Sequence, residues 1–313
     1  MATLAAAGAL SHSPLINRTP PAAEAAAIGR YRGIARKLGD HLRKARPDVL
    51  VIIGQDHMRT LFYDLMPAFV IGTGRVDGWG DWDTAKGPFA TAPALARHIH
   101  RFLLGDGFDA ACSYDLRIDH GISQPLQLLD IADTLPIVPI LINTSAPPLP
   151  TPWRCFEFGE SVAQAIANFD TPLRVAIIGS GGISHAPPSG NIESVAQADA
   201  AMVEKLIHGH AHVAAGELAR QESLVSGVLA GKFRGSVRPE WDRMILDKLA
   251  HGEAASLARN LDEASIDRDG GCGGQEIRAW LAVGGACGGA PMEVLGYEPI
   301  DFLITGMGAV RAL

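Results

Sequence analysis

The sequence predicts a single layered α/β domain, with a central mostly parallel or mixed sheet, flanking helices and one helical insertion. Short apolar runs bounded by glycine or proline recur, helix-like stretches alternate with them, and no linker-like break in composition interrupts the 313 residues.

In chain order, the apolar run Leu4 to Leu10 reads as a strand, followed by a Pro-rich stretch and a helix over Ala22 to Ala45. Asp48-Val-Leu-Val-Ile-Ile-Gly54, preceded by Pro47, has the continuous apolar pattern of a strand covered on both faces. Ile137-Val-Pro-Ile-Leu-Ile142, Arg174-Val-Ala-Ile-Ile178 and Asp301-Phe-Leu-Ile-Thr305 read the same way, and Ala92 to Leu104 and Trp153 to Asn168 read as helices. Residues 209–269 are more polar, with few β-branched runs, and read as a helical insertion or lid within one domain spanning 1–313. Ligands of such sheets gather beyond strand ends, where His57 and His185 fall.

With 47% hydrophobic and 19% charged residues, the chain has the composition of an ordinary soluble globular protein. The net charge of -7 comes without a basic stretch, which argues against a nucleic-acid partner. No apolar run approaches the roughly 20 residues of a membrane span. The start, MATLAAAGALSHSPL, lacks the basic leading segment of a signal peptide, so a cytoplasmic protein is expected. Cys112, Cys155, Cys272 and Cys287 are widely spaced, with no C-x-x-C pair, and are expected to be reduced and mostly in the core. A homo-oligomer is expected because most soluble assemblies are symmetric.

Eleven histidines are present, and most need no special role. His98 and His100 lie on a helix-like segment. His208, His210 and His212 form an H-x-H-x-H tract that rivals any other metal site, but this spacing splays side chains around a helix and Gly209 suggests a helix end. The stronger set is scattered: Leu10-Ser-His-Ser-Pro14, Gln55-Asp-His57, Ile118-Asp-His-Gly121, Gly179-Ser-Gly-Gly-Ile-Ser-His185 and Gly273-Gly-Gln-Glu-Ile-Arg278. Taken singly, each histidine reads more readily as a hydrogen-bonded structural residue than as a ligand, and Glu276 equally as a first-turn helix carboxylate. The 179–182 segment lacks the spacing of a phosphate loop, and no nucleophile elbow surrounds Ser180 or Ser184, which read as loop residues.

Together, these motifs resemble the class III extradiol ring-cleavage dioxygenases, the LigB-type superfamily, from His12 nearly to Gly308. Within it, Leu61-Phe-Tyr-Asp-Leu-Met-Pro67, His120-Gly-Ile-Ser-Gln-Pro-Leu126 and Ser184-His-Ala-Pro-Pro188 are most similar to the 2,3-dihydroxyphenylpropionate dioxygenase branch. The resemblance implies that His12, His57 and Glu276 ligate iron(II), a set that leaves open positions on the ion. It implies that His185 is the base that helps deprotonate a catechol, and that His120 is the acid or hydrogen-bond donor for the later rearrangement. The expected reaction takes a catecholic substrate and dioxygen through a lactone to a ring-opened hydroxymuconate semialdehyde.

Asp56 and Asp119 read as partners of the imidazoles or equally as surface or capping residues, and Gln124 falls within reach of His120 if the segment is helical. Arg59, Arg117 and Arg278 are candidate anchors for a substrate carboxylate, or solvated surface charges. Met58 stands where many relatives have an aromatic residue, and the Gly270 to Gly274 run reads as flexible. A zinc hydrolase on the same scaffold and a non-catalytic partner subunit are the rival readings. Intradiol chemistry, with iron(III) and tyrosine ligands, finds no supporting motif around Tyr31, Tyr63, Tyr114 or Tyr297.

Overall fold

Strand β2 (Val49–Gly54) is buried along its whole length and directs alternate side chains into two different cores. Val49, Val51 and Ile53 join one hydrophobic cluster, and Leu50 and Ile52 join the other. A strand covered on both faces has no need of polar alternation, which is why its sequence is continuously apolar. β5 (Ile137–Ile142) and β6 (Arg174–Ser180) follow the same logic.

A computed structural model describes residues 1–131, 134–187, 192, 199–211 and 213–313. It is a single α/β domain around one eight-stranded mixed sheet, ordered β4-β3-β5-β2-β6-β1-β8-β7. The remaining strands are β1 (Thr3–Leu10), β3 (Phe69–Gly78), β4 (Ala111–Ile118), β7 (Met292–Ile300) and β8 (Thr305–Ala312). β1, β6, β2 and β5 run parallel, while β8 and β7 extend one edge antiparallel and β3 pairs antiparallel with β5.

The helices among the described residues are α1 (Ala25–Ala45), α2 (Pro93–Gly105), α3 (His120–Leu128), α4 (Pro152–Ala167) and α5 (Ala200–His208), then α6 (Val213–Leu229), α7 (Pro239–Ala250), α8 (Ala254–Asn260), α9 (Glu263–Gly270) and α10 (Ile277–Ala286). Helices α1 and α3 cover one face of the sheet, through Tyr31, Leu38 and Ile122. Helices α2, α4, α7, α8 and α10 cover the other, through Ile99, Phe158, Ile245, Leu257 and Trp280.

Several expectations are corrected. Asp301–Leu303 forms a 3₁₀ turn and the strand begins at Thr305, because Ile304 adopts a left-handed backbone with φ of 49°. Strands β3, β4 and β7 were not expected. β4 is an edge strand whose exposed Tyr114 and Asp115 break the apolar signature of its neighbours. Within residues 209–269, α7 packs Ile245 and Leu249 into the main core, whereas α6 leaves Leu218 and Leu229 exposed. The cysteines are not mostly core: Cys155 is buried, Cys287 is half-buried, and Cys112 and Cys272 are exposed.

Helix α10 lies against α4 at glycine contacts. A Cβ on Gly159 would sit 1.7 Å from the Ala282 carbonyl oxygen, and one on Gly285 1.9 Å from that of Phe156. Gly29, exposed within α1, has nothing within 4 Å of its Cβ position. Gly159→Ala should therefore cost at least about 1–3 kcal/mol of stability. Gly29→Ala should add about 0.5–1 kcal/mol by removing unfolded-state entropy. Urea titration of both variants checks the opposite signs.

Candidate active site

The three central parallel strands β2, β6 and β1 end at one edge of the sheet, and each leads into a site residue. β1 continues into Ser11 and His12, β2 into Gln55, Asp56 and His57, and β6 ends at Ser180 before the segment that carries His185. Leu10 is in register with Ser180, which places His12 Nδ1 3.0 Å from the Ser180 hydroxyl. Ser180 is therefore the partner that orients His12, not an incidental loop residue.

Ser11 and Ser13 fasten the segment around His12. Ser11 Oγ donates to the Gly306 carbonyl at 2.9 Å and accepts the Gly308 N–H at 3.0 Å, and Ser13 Oγ donates to the Leu303 carbonyl at 2.8 Å. After β2, the Asp56 carboxylate accepts the N–H groups of Arg59, Thr60 and Leu61 at 3.0 Å. This turn holds Met58 in the left-handed region, with φ of 55°, at a cost of about 1–2 kcal/mol for a side-chain-bearing residue. Burial and the neighbouring Asp119 push the Asp56 pKa up to about 7.

Asp119 has two jobs. Oδ1 caps α3 by accepting the Gly121 N–H at 2.8 Å, and Oδ2 accepts the His57 backbone N–H at 2.7 Å and lies 3.0 Å from His57 Nδ1. The cap and the imidazole partner weighed as alternatives are thus the same group. At the start of α3, His120 places Nδ1 2.6 Å from Asp81 Oδ2. Asp81 escaped the sequence reading because Gly80-Asp81-Trp82-Asp83-Thr84 looks like an ordinary polar turn.

Glu276 enters from the opposite side, at the start of α10. Its Oε2 accepts the Gly182 N–H at 2.7 Å, and its Oε1 lies 3.2 Å from His57 Nε2 and 3.1 Å from His185 Nε2. One turn later, Trp280 Nε1 donates to the Gly181 carbonyl at 2.9 Å, so the Glu-Ile-Arg-Ala-Trp motif grips the glycine segment twice. Arg278 is buried and donates to the carbonyls of Pro150 and Gln275, which removes it from the substrate anchors. Arg117 stacks over the Trp79 ring, 4.3 Å from its centroid.

The glycines are wedges. A Cβ on Gly273 would sit 2.2 Å from His185 Cδ2, and one on Gly182 2.8 Å from His185 Nδ1. His185 is also held through its backbone, donating to the Gly270 carbonyl at 3.0 Å and accepting the Gly273 N–H at 2.9 Å. The Gly270 to Gly274 run is therefore packed beneath this histidine and not loose.

All five expected residues meet in one cluster, with His12, His120, His185 and Glu276 buried and His57 half-buried. Burial lowers the His12 pKa to about 3, so its ring is neutral and its lone pair available. Burial also opposes charge on His57, but Asp119 and Glu276 outweigh it and hold the pKa well above the ordinary histidine value. Burial would raise Glu276, yet His185 and His57 hold it well below the usual carboxylate range. His57 thus stands between two carboxylates, a place that a cation can share.

The cluster fits a metal ion by donor chemistry. His12, His57 and His120 each bring a nitrogen within 4.8 Å of the others, as do ligand atoms of Asp81, Asp119 and His120. Ring orientation separates His57 from His120, while His12 is steeply inclined to both, at 83° and 72°. An imidazole lone pair lies in the ring plane, so two rings bind one ion only near the line where their planes meet. The His12 and His57 planes are inclined at 83°, which suits a shared ion. His57 and His120 are stacked, 4.1 Å apart and inclined by 18°, so an ion bonded by one lies off the plane of the other.

Among the other histidines, His98 and His100 hydrogen-bond backbone carbonyls at 2.9 Å, as structural residues do. His210 lies 3.4 Å from Asp64 on the surface. His212, the third member of that tract, and Pro188, the last residue of the Ser-His-Ala-Pro-Pro motif, lie outside the described residues.

Fold and site together are those of an enzyme working at a histidine and carboxylate cluster able to hold a metal. The family described as the catalytic LigB subunit of aromatic ring-opening dioxygenase matches residues 6–309. The chain belongs to that family and is a ring-cleavage dioxygenase. It is 36% identical to a 2,3-dihydroxyphenylpropionate/2,3-dihydroxicinnamic acid 1,2-dioxygenase of Photorhabdus laumondii, over 96% of this chain and 95% of that protein. Proteins of the same name from Paraburkholderia phymatum and Rhodococcus jostii are 35% and 36% identical, over 97% of this chain and 95% and 96% of theirs. A crystal structure of an uncharacterized Escherichia coli K12 protein shares the fold, with a TM-score of 0.52, 15% identity and coverage of 98% and 99%. No helix among the described residues is long and apolar enough to cross a membrane.

Because Gly273 has no room for a methyl group, Gly273→Ala should displace the His185 ring and lower turnover at least about tenfold while the protein stays folded. Circular dichroism together with steady-state kinetics checks this outcome.

Proposed function

We propose that the protein is an iron(II)-dependent extradiol dioxygenase that inserts both atoms of dioxygen into a substituted catechol and opens the ring beside the diol. The observation that carries this reading is the arrangement of His12, His57 and Glu276. Two rings at near right angles and a carboxylate oxygen 3.2 Å from one ring nitrogen match the about 3 Å spacing of adjacent donors with bonds of about 2.1 Å. Two histidines and one carboxylate are the ligand set of non-haem iron(II) oxygenases.

When bound there, iron(II) would supply open positions for the catechol oxygens and dioxygen, and the electron transfer that lets triplet oxygen react with a spin-paired ring. The surrounding side chains have separate duties. Ser180 and Asp119 occupy the Nδ1 atoms of His12 and His57, which turns each Nε2 toward the ion, the His12 Nε2 lying 3.4 Å from the Gln55 amide nitrogen that the ion would displace. His185, whose Nε2 faces Glu276 Oε1 at 3.1 Å, is the base for a substrate hydroxyl once that carboxylate oxygen is engaged by the ion. His120, backed by Asp81 at Nδ1, presents Nε2 as the donor that protonates the developing product. The names of the curated relatives support a catechol bearing a short carboxylate side chain, as part of the catabolism of aromatic compounds.

Anaerobic loading with iron(II), followed by air and a panel of catechols, should give oxygen uptake and a yellow ring-opened product; no uptake with any catechol would contradict the proposal. His12→Ala, His57→Ala and Glu276→Ala should lose bound iron. His120→Ala and His185→Ala should keep it and lose about 10²–10⁴-fold in kcat. Metal analysis beside kinetics separates the two groups, and loss of iron from the second pair would reverse the assignment.

A further inference from the structure

The loop after His57 meets helix α6 in a seam where two guanidinium groups, those of Arg59 and Arg220, converge on the Glu217 carboxylate. Arg59 is buried, and its Nη2 lies 3.1 Å from Glu217 Oε2, its ion-pair partner. Glu217 is shared: its Oε1 also accepts Arg220 Nη2 at 2.8 Å and Gln221 Nε2 at 2.6 Å. Two guanidinium groups thus face one carboxylate. The nearby Asp56 carboxylate is occupied by three backbone N–H groups, and Arg18 is paired with Asp83.

The seam also holds unused donors. Arg59 Nε and Nη2 are buried without a hydrogen-bond acceptor among the described residues, the Glu217 contact lying off the line of the N–H bonds. The indole Nε1 of Trp82 is likewise buried and unpartnered. Buried donors without acceptors are rare in native proteins, and a group that supplies an acceptor relieves the cost. Trp82 links this seam to the catalytic cluster. Its ring lies 6.4 Å from that of His120 and 5.6 Å from the Arg220 guanidinium. Two guanidinium groups on one carboxylate, unfilled donors and an indole ring beside His120 occur together, two residues from His57.

We propose that Arg59 and Arg220, bridged by Glu217 beside Trp82, bind the anionic side chain of the substrate and make the enzyme selective for catechols that carry a carboxylate. This rests on the ring-opening reading above, and names residues that reading does not use. A guanidinium offers a carboxylate two parallel N–H bonds, and in a buried seam such charge-assisted bonds are strong. An uncharged side chain offers these guanidinium groups no such charge-assisted bond.

The test is calorimetric titration, under nitrogen, of the iron-loaded protein with 3-(2,3-dihydroxyphenyl)propanoate and its uncharged propanamide. Wild type should bind the acid about tenfold or more tightly than the amide. Arg59→Gln and Arg220→Gln should each bring that ratio to within about threefold of unity. Glu217→Gln keeps the shape and removes the competing charge, so its ratio should rise. Arg220 is 40% exposed, so its variant keeps the fold if Arg59→Gln does not. A wild-type ratio near unity, an unchanged ratio in Arg220→Gln, or a fall in Glu217→Gln would each overturn the inference. Ring opening in air is read separately: if neither catechol is opened, the functional reading fails while the binding ratio still decides the role of the arginines.

Discussion

Glu276 is a carboxylate almost wholly withdrawn from water, and its charge is tolerable only because of what surrounds it. The Gly182 N–H takes one oxygen, and His57 and His185 converge on the other. An isolated buried carboxylate would cost several kcal/mol. Once Glu276 is in place, the start of α10, the segment after β6 and the segment after β2 have little freedom to move independently. Trp280 strengthens the link by holding Gly181 one turn further along α10. Gly273 and Gly182 complete it by making room for His185. Structural and chemical demands therefore fall on the same few residues.

A second carboxylate ties the other side together. Asp119 caps α3, the helix that begins with His120, and also orients His57. The stacked His57 and His120 rings are thus set by one anchor, while Asp81 determines which nitrogen of His120 faces the cluster. Stacking separates them as well: an ion in the plane of one of these stacked rings lies off the plane of the other.

The central sheet was legible in the sequence because β2, β5 and β6 are covered on both faces and so carry unbroken apolar runs. β4 was missed because an edge strand need not be apolar, and the 301–305 run misled because apolar burial does not distinguish a 3₁₀ turn from a strand. In the site, the five residues with recognisable neighbours were legible as candidates. Asp81 and Ser180 were not, since an aspartate in a polar turn and a serine among glycines become imidazole partners only through folding. Arg59 shows the same limit. Nothing local distinguishes a surface arginine from one buried against Glu217, more than 150 residues away in the chain.

The central claim is that His12, His57 and Glu276 hold one iron ion while His120 and His185 stand beside it. The most direct test is a crystal structure of anaerobically iron(II)-loaded protein, with anomalous data collected across the iron absorption edge. The account predicts a single iron peak bonded to His12, His57 and Glu276, with the Asp81 contact to His120 intact and His185 unbonded. A peak bonded to His12, His57 and His120, or one lying among Asp81, Asp119 and His120, would contradict it.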